Sequence, residues 1–170
     1  MAQTIIVLGT FHQLQGPKFI GYVDDPSYRE LVEVLIKTNS VDFIFEEASG
    51  RGPSIAEELA KCLGTDRYQD VDPSRDERNK HGIALETEIS IPIDLWSNPP
   101  EFYSEQKIQE HQKRENLWIT RLQERSFTAG LMICGIAHCL SLSFMLQRFG
   151  YAVTTFNYIP HHKVCPRAHA

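Results

Sequence analysis

Two apolar runs in this chain lead directly into Gly-x-x-His: Ile5-Ile6-Val7-Leu8 precedes Gly9-Thr10-Phe11-His12, and Leu131-Met132-Ile133-Cys134 precedes Gly135-Ile136-Ala137-His138. A third, mainly apolar segment, Val41 to Phe45, ends on Glu46-Glu47. Imidazole nitrogen and carboxylate oxygen together suit zinc, manganese, cobalt or iron. His12, His138 and one of Glu46 or Glu47 therefore form a candidate divalent-metal site with an open position for water. Such an ion would draw the water's pKa toward neutrality and polarise a scissile carbonyl, leaving the other carboxylate to move protons. Plainer roles are open for the same residues. A histidine after a core strand is commonly a hydrogen-bonded structural residue, and a glutamate pair at a strand end is commonly solvated.

Other ionisable residues are placed where they could assist. Arg114 lies at the edge of a mixed helical face, where a guanidinium would hold a substrate carboxylate or a developing oxyanion, although a solvent-facing pair with Glu115 is the simpler account. Asp72 and Arg75 read as a helix cap with its complementary cation, or as substrate contacts. The loop Ser49-Gly50-Arg51-Gly52-Pro53 offers backbone amides and the Arg51 charge at a helix start, which would welcome an anionic group on a substrate. No Walker motif, Gly-x-Gly-x-x-Gly or Gly-x-Ser-x-Gly is present. The four cysteines have neither zinc-site nor disulfide-scaffold spacing and read as reduced thiols, Cys139 as a small packing residue at a strand-to-helix junction. His161, His162, Cys165 and His169 of the tail resemble a chelator, but an unfolded segment rarely preforms a site.

These residues need elements to position them. Gln3 to Leu8 reads as a buried strand, and Ser27-Tyr28-Arg29-Glu30 as a capping box opening a helix that repeats Leu31, Val34 and Leu35. Val41 to Phe45 is a second strand, and Ser54-Ile55-Ala56-Glu57 caps a helix that closes near Gly64. Because strand neighbours face opposite ways, Glu46 and Glu47 converge only if the strand has already ended. Tyr68 to Asp72 reads as a short strand, with Asp72 capping a polar helix toward Gly82. Ile83 to Leu95 reads as irregular, with a short helix around Leu85 to Ser90. Ser104 to Arg125 forms one long helix with Ile108, His111, Glu115, Trp118 and Leu122 on a face. A strand over Leu131 to Cys134, a helix from His138 to Phe149 and a strand from Tyr151 to Tyr158 complete the order.

Alternating strands and helices predict an α/β fold: a single domain over 1–160 with a central, mostly parallel sheet flanked by helices, built of two related halves, and a mobile tail over 161–170. The 170 residues suffice for one core, and a net charge of −5 argues against a dedicated nucleic-acid binder. No apolar run approaches the ~18 residues of a membrane span, and the first residues lack a basic leader, so a cytoplasmic location is expected. The expected partner is a small-molecule or peptide substrate, with no nucleic acid and no membrane.

The succession Gly9-x-x-His12, Glu46-Glu47, Arg114-Glu115-Asn116 and Gly135-x-x-His138 resembles the TraB/Tiki superfamily, which includes pheromone-shutdown proteins, Tiki proteases, erythromycin esterase and ChaN-like proteins. The resemblance spans most of the chain and implies a sheet flanked by helices and hydrolysis of peptide or ester bonds. It implies metal in the Tiki-like branch, and a histidine general base without metal in the erythromycin esterase branch. A third implication is a non-catalytic pocket holding haem or another small ligand, as in ChaN-like relatives. In this chain Glu115 separates Arg114 from Asn116, where the family pattern has the two functional residues adjacent, and Arg114 is the better candidate.

Overall fold

The computed structural model describes residues 3–62, 64, 67–84 and 101–160. Five strands form one sheet: β1 (Thr4–Thr10), β2 (Phe43–Glu46), β3 (Tyr68–Asp70), β4 (Ala129–Gly135) and β5 (Ala152–Asn157). Their order across the sheet is β3-β2-β4-β1-β5, and every pairing is parallel. The helices are α1 (Pro26–Thr38), α2 (Ile55–Cys62), α3 (Arg75–Lys80), α4 (Glu101–Gln123) and α5 (Ile136–Arg148). This is the α/β architecture that alternating strand and helix signals require, since parallel neighbours need crossovers that place helices on the sheet's faces.

Side-chain alternation divides the core in two. Ile6, Leu8, Ile44, Leu131 and Ile133 pack with Tyr28, Val32 and Leu35 of α1 and Leu59 of α2. Ile5, Val7, Phe43, Phe45 and Met132 pack on the other face with Trp118 and Leu122 of α4 and Leu142 and Leu146 of α5. Each buried aliphatic or aromatic side chain of this kind stabilises by roughly 1.5–3 kcal/mol, so strands apolar on both faces hold the sheet between its two layers.

Local signals differ from expectation at several points. Asp25, not Ser27, caps α1: its carboxylate accepts from the amides of Ser27 and Tyr28 at 3.1 and 3.4 Å, with Pro26 in the first turn. Val34 is exposed on α1 and Val32 is buried in its place. Ser74, not Asp72, caps α3, in a reciprocal capping box with Glu77. Ile108 of α4 is exposed. Neither Gly9 nor Gly135 has a positive φ, so neither position needs glycine for its backbone conformation. The irregular stretch expected after Ala84 with its helix around Leu85 to Ser90, and the tail 161–170, lie outside the described residues. No described helix is long and apolar enough to cross a membrane.

Candidate active site

Parallel strands deliver their following residues to one edge, the carboxyl edge, where open α/β sheets form their clefts. Four adjacent strands each supply one side chain there. Asp72 follows β3, Glu47 follows β2, His138 follows β4 and His12 follows β1. Glu46 still pairs with Ile133 and Asp70 in the sheet, so its side chain shares the face of Ile44, while Glu47 turns to the face covered by α4 and α5. The glutamates therefore do not converge.

The buried centre of the cluster is Arg114 of α4. Its Nη2 donates to Glu47 Oε1 and, at 2.8 Å, to Asp72 Oδ1, while Nε reaches Asp72 Oδ1 at 3.2 Å. Nη1 lies 3.4 Å from His138 Nε2. The second oxygen of Asp72 accepts from Arg78 Nη2 at 2.6 Å and from the Ser49 hydroxyl. Burial works against ionisation of Asp72, but the Arg114 charge, the Ser49 and Arg114 hydrogen bonds and the Arg78 charge outweigh it and lower its pKa. Glu47 Oε2 accepts from the Gly135 amide at 2.8 Å. Asp72 thus finds its second cation in Arg78 and not in Arg75, since the cap of α3 is Ser74 and Arg78 lies one turn into that helix. Arg75 is exposed and makes none of these bonds.

The tautomers of both histidines follow from their partners. Gln15 Nε2 donates to Glu46 Oε1 at 3.0 Å and to the Glu47 carbonyl at 3.3 Å, which turns its Oε1 toward His12 Nδ1 at 2.7 Å. An amide oxygen only accepts, so Nδ1 of His12 carries the hydrogen and Nε2 keeps its lone pair. His138 Nδ1 lies 2.8 Å from Glu115 Oε1, so it too is the donor, and its Nε2 accepts from Arg114. The rings differ in access. The His12 side chain is 42% exposed, whereas that of His138 is 3% exposed, with the Trp118 ring edge-on at 4.8 Å and the His111 ring at 4.1 Å. Burial, then the neighbouring His138 and Arg114, push the pKa of His111 down to about 4. The wheel had placed His111 on this face without giving it a role in the site.

Each glycine of the repeated motif makes room for something different. A Cβ on Gly135 would lie 2.9 Å from His12 Nε2 and 3.4 Å from Glu47 Oε2, so the missing side chain lets the His12 ring and the Glu47 carboxylate approach. A Cβ on Gly9 would meet Asn157 Oδ1 at 2.5 Å and Cys139 Cβ at 2.8 Å, so Gly9 serves the packing of α5 on the sheet. The two are not register partners: Gly9 pairs with Cys134, and Gly135 with Thr10. Cys134 and Cys139 are free and buried, and burial raises both thiol pKa values, in keeping with packing roles.

At the mouth, the Arg51 guanidinium lies over the Phe19 ring at 5.6 Å, and Phe19 stacks parallel to His12 with centroids 6.4 Å apart. Two of the loop amides expected to receive a ligand anion, those of Gly50 and Arg51, already have partners within the protein, Arg51 donating to the Ala48 carbonyl at 3.0 Å. Ala48 and Gly50 donate to Asp70 at 3.1 and 2.6 Å. Arg51 itself is exposed.

No family model, curated protein or solved structure matches the chain. The chemistry of the site follows from its own geometry. His12 Nε2 and His138 Nε2 lie 3.7 and 3.9 Å from Glu47 Oε1, so the two imidazoles do meet at one carboxylate. As arranged, these donors do not fit a divalent ion, because the Arg114 guanidinium holds both Glu47 and His138 where the ion would sit. Among the described residues no group of three or more histidine, cysteine, aspartate and glutamate side chains is disposed to hold a metal.

Proposed function

We propose that the protein is a hydrolase of an ester, amide or peptide bond in which His12 is the general base and the ion cluster behind it is a fixed frame. The observation that carries this reading is the half-exposed His12 ring, locked by Gln15 with its Nε2 lone pair directed toward Gly135 and Glu47. Nε2 takes a proton from water as the water oxygen bonds to the carbonyl carbon. The imidazolium then returns the proton to the leaving group as its bond to carbon breaks. The N-cap of α5, Gly135, lies against His12 and has no side-chain cap; its own amide is taken by Glu47, and the remaining amino-terminal amides of the helix would accommodate negative charge developing on the carbonyl oxygen. Arg51 at the mouth suits a substrate carrying an anionic group.

This reading agrees with the metal-free branch implied by the resemblance to erythromycin esterase. A metal-centred hydrolase is the second reading, favoured by the approach of both Nε2 atoms to Glu47 Oε1. It requires Arg114 to release Glu47 and His138. Turnover of a panel of activated esters and peptides before and after exhaustive chelation separates the two. Activity that survives chelation and is lost in His12→Gln supports the general base, whereas activity lost on chelation and restored by manganese, cobalt, zinc or iron supports the metal.

A further inference from the structure

We infer that Glu46 is a positioning residue for His12, acting through the Gln15 side chain to fix which ring nitrogen carries the hydrogen. Glu46 is fully buried on the face opposite Glu47, among the isoleucines and leucines beneath α1 and α2, and makes no contact with the ion cluster. A carboxylate there costs stability that an apolar side chain would not. Burial pushes its pKa up to about 7 even though Ser54, Tyr68 and Gln15 all donate to it.

What Glu46 does that no apolar residue can is accept the Gln15 amide hydrogen. Its Oε1 takes Gln15 Nε2 at 3.0 Å, while Oε2 takes the Ser54 hydroxyl and the Tyr68 hydroxyl, the latter at 2.7 Å. A side-chain amide has two orientations, related by exchange of its oxygen and nitrogen. With the orientation seen, Gln15 presents oxygen to His12 Nδ1. Flipped, it would present N–H there, Nδ1 would accept, and the hydrogen would move to Nε2, leaving no lone pair beside Glu47. The Glu47 carbonyl, at 3.3 Å, is the other acceptor holding the amide, and it is the longer of the two bonds. Glu46 thus selects the tautomer from two side chains away.

The consequence for turnover rests on the reading of His12 as the base, but the tautomer itself is read without turnover. Imidazole nitrogen-15 spectra of the whole protein, with the His12 resonances assigned by their loss in His12→Gln, report which nitrogen bears hydrogen. The unmodified protein is expected to show Nδ1–H at His12. Glu46→Met keeps the length and removes the acceptor, and is expected to show an Nε2–H population. Glu46→Gln is expected to restore the original pattern, because its carbonyl can face Gln15 while its NH2 faces the Ser54 and Tyr68 hydroxyls. Should Glu46→Met fail to fold, Glu46→Asp, whose carboxylate is withdrawn by one methylene, is expected to shift the ring the same way. A folded Glu46→Met or Glu46→Asp protein with the wild-type ring pattern overturns the inference, as does Nε2–H in the unmodified protein. Nδ1–H that responds to Glu46 in a protein without hydrolytic activity would count against the proposed function and leave this inference standing.

Discussion

Arg114 holds two buried carboxylates and the acceptor nitrogen of a buried histidine with one guanidinium, and its planar fork is what makes that possible. Removing it leaves Glu47, whose side chain is 2% exposed, without its guanidinium partner, and leaves the fully buried Asp72 to Arg78. Breaking a buried ion pair by deleting one partner typically costs about 3–5 kcal/mol, so Arg114→Ala is expected to lower the denaturant midpoint by a corresponding amount. Arg114→Lys keeps the charge but not the fork, and should lose activity more than stability. An Arg114→Ala protein as stable as the parent would show that the frame is not held as described. The motif glycines give a paired prediction. Gly135→Ala puts a methyl 2.9 Å from His12 Nε2, and should reduce turnover with little loss of stability. Gly9→Ala drives its methyl into Asn157 and Cys139 and should cost about 1–3 kcal/mol by overpacking. Equal effects of the two on turnover and on unfolding would contradict the separate roles.

At the scale of elements, the alternation of strand and helix and the delivery of His12 and His138 to one sheet edge were legible in the sequence, because apolar runs ending in Gly-x-x-His carry both length and direction. The opposite facing of Glu46 and Glu47 was also legible in principle, since the period of a strand is two. Whether β2 ends before or after Glu46 decides it, and strand ends are poorly marked by composition. Caps misled where two signals overlapped. Asp25-Pro26 precedes Ser27 by one cap and one first-turn proline, and Ser74-x-x-Glu77 lies two residues beyond Asp72. The later signal was the true capping box at α3, and missing it hid the Asp72–Arg78 pair. Gln15 had no sequence signal of its own. Its role depends on the 3-10 turn over His12–Leu14, which brings residues three apart onto one side, and on the depth of Glu46 beneath it. The repeat of Gly-x-x-His suggested two related halves, but β4 passes directly into α5 whereas β1 passes into that single turn and a loop. The same four-residue pattern therefore yields one open and one buried imidazole.

For the molecule as a whole, the fully buried Glu46 and the half-buried His111 bias stability in opposite directions with pH. Glu46 has an ordinary pKa of 4.5 when unfolded and about 7 when folded. The native state thus binds more protons between these values, and this contribution is full below 4.5 and lost as pH rises through 7. His111 falls from 6.5 to about 4 on folding, so its contribution is full above 6.5 and lost as pH falls toward 4. Where the windows overlap the slopes oppose, and the parent protein is expected to vary little in stability between pH 5 and about 6.5. Glu46→Gln removes one slope, so its stability should fall more steeply than the parent's on acidification through that range, as measured by urea unfolding at stepped pH. Parallel curves for the two proteins would contradict the burial of an ionisable Glu46. Asp72, whose pKa folding lowers, adds a further loss below the ordinary carboxylate range as pH falls through its folded value.

The central claim is that His12, oriented by Gln15 and flanked by Glu47, removes the proton from water without a metal. The direct measurement is kcat/KM for an activated ester or peptide substrate in metal-stripped buffer, for the parent protein and for His12→Gln. The account predicts that the parent keeps its activity after chelation while His12→Gln falls by about 10²–10⁴-fold, the range general base catalysis supplies. Activity that disappears on chelation, or that His12→Gln leaves unchanged, would contradict it.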